Sequence, residues 1–179
     1  MKQELIIAGF GGQGVLLMGK LLAYAGMNEG KEVSWLPSYG PEMRGGTANC
    51  SVIVSDEPVA APIVQEASAV IVMNRPSLDT FEKNVVPGGL LLVNSSLIDV
   101  KATRDDIRVY YVPVNDIAAQ VGNPRTANIV MLGAFVALTG IVTQEEVLTA
   151  LRHTFGPAKE HLMPVNEKAL AAGAAAVAP

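Results

Sequence analysis

Cysteine, histidine and aromatic residues are scarce in this chain of 179 residues. Cys50 stands alone and can form no internal disulfide, and no Cys/His cluster has the spacing of a zinc or iron–sulfur site. Aromatics make up 5% of the sequence, which leaves no series of platforms for stacking bases, and no block of Lys or Arg appears. With a net charge of −4, nucleic acid and anionic membrane surfaces are excluded as general partners. The longest apolar run, Ile129 to Val142, is interrupted by Gly133, Thr139 and Gly140. It falls short of the roughly 20 residues that a bilayer span needs. The start, Met1-Lys2-Gln3-Glu4, has no hydrophobic leader and no cleavage site, so a soluble, cytoplasmic protein is expected. Half of the residues are hydrophobic, which argues against extensive disorder. One domain over residues 1–179 is expected, with 170–179 as an alanine-rich flexible tail.

The densest feature is Ala8-Gly9-Phe10-Gly11-Gly12-Gln13-Gly14-Val15, which follows the apolar run Leu5-Ile6-Ile7. Gly9, Gly11 and Gly14 fit G-x-G-x-x-G, between a predicted strand and a predicted helix with Val15, Met18, Leu22 and Ala25 at helical spacing. Backbone without Cβ atoms approaches a phosphate closely, and the helix N-terminus offers unpaired N–H groups. The competing reading is a tight turn that serves only close helix–strand packing. A dinucleotide site also wants an acid after the second strand, and Leu36-Pro37-Ser38 stands there instead. No Gly-Lys-Ser/Thr closes a P-loop. For Lys20 two readings stand: a cation reaching back toward the loop, or an ordinary solvated helix lysine.

The remaining pattern reads as α/β. Strands are expected at Glu4–Ala8, Glu32–Leu36, Thr47–Val54, Ala69–Met73, Leu90–Val93 and Ile107–Val112, with Pro87-Gly88-Gly89 as a turn. Helices are expected at Gln13–Asn28, Ser77–Asn84, Asp116–Val121, Ala127–Leu138, Gln144–Phe155 and Ala158–Ala172. Thr126 and Thr143 are N-cap candidates, the latter with Glu146 as a capping box. The connection Pro37 to Gly46 is too short for a crossover helix, so the strand after it should run antiparallel to the one before. The expected fold is a three-layer αβα sandwich with a mixed, mostly parallel sheet.

That same connection, rich in Gly and Pro, carries Tyr39, Glu42 and Arg44. Arg44 beside Gly45-Gly46 suits bidentate binding of a carboxylate or phosphate, or a surface pair with Glu42. His153 and His161 lie on predicted C-terminal helices far from the glycine loop, and Cys50 reads as a small buried hydrophobe. Gly122-Asn123-Pro124-Arg125-Thr126-Ala127-Asn128 reads first as a helix start and second as a polar contact surface. No nucleophile with its base is visible. A cradle without chemistry suggests a subunit.

Three segments together, residues 9–15, 37–50 and 122–128, resemble the gamma subunit of 2-oxoacid:ferredoxin oxidoreductases, and the resemblance covers essentially the whole chain. It points first to the 2-oxoglutarate (ketoglutarate) type and next to the branched-chain 2-oxoisovalerate type. The resemblance implies a heteromeric complex that oxidatively decarboxylates a 2-oxoacid to an acyl-coenzyme A and passes electrons to ferredoxin. It implies alpha, beta and ferredoxin-like delta partners that hold thiamine diphosphate and iron–sulfur clusters, with no independent catalysis by this chain. It places coenzyme A phosphates near Gly9, Gly11, Gly12, Gln13 and Gly14, with Lys20 and Arg44 as candidate cations. The 37–46 segment would face the catalytic subunits. The alternatives are a stand-alone Rossmann-like nucleotide-binding domain and a pure assembly module. An isolated subunit with a face built for partners is expected to self-associate, as a homodimer for instance.

Overall fold

The computed structural model describes residues 1–38 and 47–179. Its first strand, β1 (Lys2–Phe10), is buried on both faces from Leu5 to Ala8, which is why that stretch reads as an unbroken apolar run. The glycine turn leads into α1 (Val15–Asn28) and then the edge strand β2 (Glu32–Ser38). Next come β3 (Thr47–Ser55), β4 (Ala67–Val72), the short α2 (Arg75–Phe81), β5 (Val85–Asn94) and β6 (Arg108–Val112). The last third is helical: α3 (Val114–Val121), α4 (Ala127–Thr139), α5 (Gln144–Phe155) and α6 (Met163–Ala176).

The strands form one six-stranded sheet in the order β2-β3-β1-β4-β5-β6. β3 runs antiparallel to both β2 and β1, while β1, β4, β5 and β6 are mutually parallel. The short connection before β3 thus has the consequence expected of it. Pro37, which lacks an N–H, is tolerated because β2 is an edge strand.

Alternation along the strands sorts the core into two clusters. Leu5, Ile7, Val52 and Ile71 face α1, α4 and the helices packed around them. Ile6, Ile53, Val70 and Leu91 face α2, Val64 and Ile98. The three layers are therefore unequal, with a thick helical side and a second side built from one short helix and loops. α4 is buried all round, with Phe135 among the fully buried side chains, which explains why it shows no amphipathic stripe.

Four local expectations are corrected. Pro87-Gly88-Gly89 lies inside β5, because Gly88 at φ +78° donates its N–H to Asp106 O at 2.7 Å and the register with β4 shifts there. Such a bulge absorbs a proline and glycines without ending the strand. Thr126 precedes α4, but its hydroxyl donates to Asn123 O rather than capping the helix. Thr143 caps α5 by accepting the Glu146 N–H at 3.1 Å, yet its own N–H goes to Glu29 Oε2 at 2.8 Å, so only half of the capping box forms. Residues 170–176 continue α6, with Leu170 and Gly173 buried.

α4 and α6 cross at glycine on both sides. A Cβ on Gly133 would overlap the Leu170 carbonyl, and one on Gly173 would overlap the Val130 carbonyl. Helix propensity alone says that Gly173→Ala stabilises by about 1 kcal/mol. Backbone overlap says the reverse, with overpacking costing roughly 1–3 kcal/mol. The expected outcome of thermal unfolding is a lower midpoint for Gly173→Ala, by roughly 2–8 °C.

Candidate functional site

β1 and β4 lie side by side and parallel, but their connections leave in opposite directions. α1 packs over β3 and β2 on one face, and α2 packs over β1 and β4 on the other. Their carboxyl ends are thus left uncovered, the arrangement in which open α/β sheets present a binding crevice. The glycine loop sits at that point.

Each part of the loop has a distinct job. A Cβ on Gly9 would lie 2.6 Å from Gln13 Oε1 and 2.9 Å from Met73 Cβ, so this glycine exists for close packing. Gln13 folds back on the loop: its Oε1 accepts the Phe10 N–H at 2.6 Å and its Nε2 donates to Met73 O at 3.2 Å. Gly12 (φ +91°) and Gly14 (φ +74°) hold left-handed backbone that other residues resist. Nothing lies within 4 Å of a Cβ placed on Gly12, whereas one on Gly14 would overlap the Asn128 amide. Gly14 is the N-cap of α1, and with no side chain it leaves the first-turn N–H groups without a side-chain cap. No acidic residue occupies that turn. In contrast, α5 has both the Thr143 cap and Glu145 and Glu146 in its first turn.

These features open onto a cleft of about 500 Å³ lined by Gly12, Gln13 and Gly14 together with Asn115, Arg125 and Asn128. A 3-10 turn (Pro124–Thr126), capped by Asn123 Oδ1 accepting the Arg125 N–H at 3.0 Å, carries Arg125 to the rim. Asn128 is 7% exposed, and its Nδ2 donates to Gly14 O at 3.4 Å, which ties the start of α4 to the start of α1. No carboxylate among the described residues pairs with the Arg125 guanidinium. The cleft therefore offers hydrogen-bond donors and one cation, a set that suits an oxyanion.

Residues 4–176 match the model of the pyruvate ferredoxin/flavodoxin oxidoreductase family. The chain belongs to that family. It is 44% identical over 170 residues to the ketoisovalerate oxidoreductase subunit VorA of Methanothermobacter marburgensis, covering 94% of this chain and 35% of VorA. It is 36% identical over 154 residues to the 2-oxoglutarate synthase subunit KorC of Methanocaldococcus jannaschii, covering 84% of this chain and 82% of KorC. The solved 2-oxoglutarate:ferredoxin oxidoreductase of Magnetococcus marinus, which has 2-oxoglutarate, coenzyme A and succinyl-CoA bound, shares the fold. The TM-score is 0.88 at 22% identity, over 98% of this chain and 31% of that one. The chain thus spans about a third of the VorA relative that it matches.

In this family member, three of the residues singled out from sequence line the cleft: Gly12, Gln13 and Gly14. Gly9 is spent on packing, and Gly11 is exposed outside the cleft lining. Lys20 is exposed on α1 beyond its first turn and does not line the cleft either. The cation that does is Arg125, delivered by the turn between α3 and α4. Arg44 and Glu42 lie outside the described residues. Asn115, Arg125 and Asn128 are cleft residues that no sequence motif marks as such, although the 122–128 segment stands out for its polarity.

Two other reactive side chains, His153 and Cys50, are structural. His153 stacks on Tyr24, with ring centroids 5.0 Å apart and planes 25° apart, and so joins α5 to α1. Cys50 is fully buried beneath α1, where Gly19 makes room for its sulfur. Burial pushes its thiol up to about 12. Since the reactive form is the thiolate, native Cys50 at pH 8 stays protonated and inert. Iodoacetamide at pH 8 should label it only as fast as the chain unfolds, and promptly in denaturant, as mass spectrometry would read.

Proposed function

We propose that this chain is the gamma component of a 2-oxoacid:ferredoxin oxidoreductase and that its cleft holds phosphate groups of coenzyme A. The observation that carries this reading is the uncapped N-terminus of α1, reached through left-handed Gly12 and Gly14, with Arg125 lining the same cleft. Coenzyme A carries a pyrophosphate and a 3′-phosphate, which need several N–H donors and a cation together. The Magnetococcus enzyme, built on the same fold, has coenzyme A bound, in support of that ligand. The dinucleotide alternative has less support, since β2 ends at Pro37-Ser38 with no acid for a ribose.

On this reading the complex forms an acyl-coenzyme A in the cytoplasm. The thiamine diphosphate, the iron–sulfur clusters and the electron transfer to ferredoxin belong to the alpha, beta and delta subunits. The residues of this chain bind and orient the nucleotide end of the ligand, and the thioester chemistry takes place at the other end. The 44% identity to a ketoisovalerate subunit against 36% to a 2-oxoglutarate subunit favours a branched-chain 2-oxoacid. That reverses the order expected from the motifs. Parallel turnover of 2-oxoisovalerate and 2-oxoglutarate by the purified complex distinguishes them.

Charged hydrogen bonds contribute about 1.5–3 kcal/mol. Arg125→Ala should therefore raise the apparent KM for coenzyme A roughly 10- to 100-fold, and Gly12→Leu should do so by filling the cleft. Lys20→Ala should leave it within about twofold, as expected of an exposed charge. Steady-state kinetics of the complex with varied coenzyme A would check all three. An Arg125→Ala enzyme with unchanged KM would rule the reading out.

A further inference from the structure

The polarity of one amide in the cleft is set by a buried partner behind it. Asn94, at the end of β5, has no solvent exposure. Its own orientation is fixed by two backbone groups with no choice of role. The Ser96 N–H can only donate, and it meets Oδ1 at 3.2 Å. The Met73 carbonyl can only accept, and it meets Nδ2 at 3.2 Å. That Nδ2 has a second hydrogen, which it donates to Asn115 Oδ1 at 2.8 Å. Asn115 is half-buried, lies in the first turn of α3 and lines the cleft. An unrestrained asparagine presents either end of its amide to a ligand. Here the bond from Asn94 fixes the oxygen on the buried side, and the N–H₂ end is left to meet a ligand.

We propose that Asn115 binds an oxyanion of the ligand through Nδ2 and that Asn94 is the positioning residue that fixes it as a donor. The ligand group is an ionised phosphate, so this inference rests on the phosphate reading above. The register of the site follows from the same contacts. Met73 O accepts from both Gln13 Nε2 and Asn94 Nδ2, so one carbonyl ties the glycine loop to the asparagine that holds Asn115.

The test is a titration of the ¹⁵N-labelled full chain with inorganic pyrophosphate, followed by NMR, with the Asn115 side-chain N–H₂ signals assigned from the Asn115→Ala spectrum. Those signals should move saturably together with the Gly12 and Gly14 amides. Asn115→Ala should weaken pyrophosphate about tenfold, the scale of a lost hydrogen bond to a charged group. Asn115→Asp, which replaces the donor by a like charge, should weaken it further. Asn94→Asp offers only acceptors to Asn115, turns its amide around and should also cost about tenfold. In the Asn115→Ala background the same change should cost clearly less, only the repulsion of the added charge, because nothing is left to orient. Equal losses from Asn94→Asp in both backgrounds would show that Asn94 acts without Asn115 and overturn its positioning role. Unchanged affinity in both Asn115 variants would overturn the proposal even if Asn94→Asp does not fold. If Arg125→Ala still weakens binding in that case, the phosphate reading survives alone. Pyrophosphate that moves neither the glycine amides nor Asn115 would sink both.

Discussion

The Met73 carbonyl is where the architecture closes. β4 must end beside β1, and at that junction the chain sends α1 to one face of the sheet and α2 to the other. Such a divergence leaves backbone groups at the strand ends with no helix above them, and a buried carbonyl without a partner costs about 1–3 kcal/mol. Met73 N bonds to Ala8 O, and its carbonyl accepts from Gln13 and Asn94. The bond from Gln13 sets the shape of the glycine loop, because the other end of that amide accepts the Phe10 N–H. The bond from Asn94 sets the start of α3 through Asn115. Loop, strand end and helix start thus share one fixed point, and the cleft is the space left between them.

The electrostatics of the cleft are local rather than global. The chain carries a net charge of −4, so a phosphate gains nothing from the overall field. A helix N-terminus contributes about 0.3–1 kcal/mol toward an anion at exposed positions. Hydrogen bonds to a charged group contribute about 1.5–3 kcal/mol each. Several donors in register therefore outweigh the dipole, and their register decides affinity. On the proposed phosphate reading, Gly14, which cannot cap α1, and Gln13, which holds the turn, matter as much as the guanidinium of Arg125.

Much of the fold was legible because it follows from local rules. A ten-residue stretch rich in Pro and Gly cannot cross over, so the antiparallel β3 was readable from the 37–46 connection. The unbroken apolar runs at Leu5–Ala8 and Ala69–Val72 announced central strands. What failed depended on neighbours distant in sequence. Thr143 looked like one half of a capping box, but Glu29, just after α1, takes its N–H. Pro87-Gly88-Gly89 looked like a turn because the bulge against β4 has no local signature. The alanine-rich end looked like a tail, yet Gly173 is what lets α6 approach α4. The site divides in the same way. Gly12, Gln13 and Gly14 form a contiguous motif, while Arg125 and Asn115 reach the cleft only through the order of β5, β6 and α3. Lys20 stands on α1 beyond its first turn, exposed and outside the cleft lining.

The side chains of the cleft also bear on what the site can do once something is bound. Arg125 is the one ionisable side chain among the described residues that line it. A guanidinium stays protonated at any working pH, so it cannot serve as a general base. The amides of Asn115 and Asn128 do not titrate, and Gln13 is occupied with the loop. Groups of this kind hold charge in place and exchange no protons. An anchor of that type is useful when the reacting atom lies far along the ligand, beyond the cleft. In coenzyme A the thiol and the phosphates stand at opposite ends of a long, flexible arm. Fixing the phosphate end removes part of the entropy that would otherwise be lost when the thiol is positioned. The proposed role of this chain in its complex is that restraint.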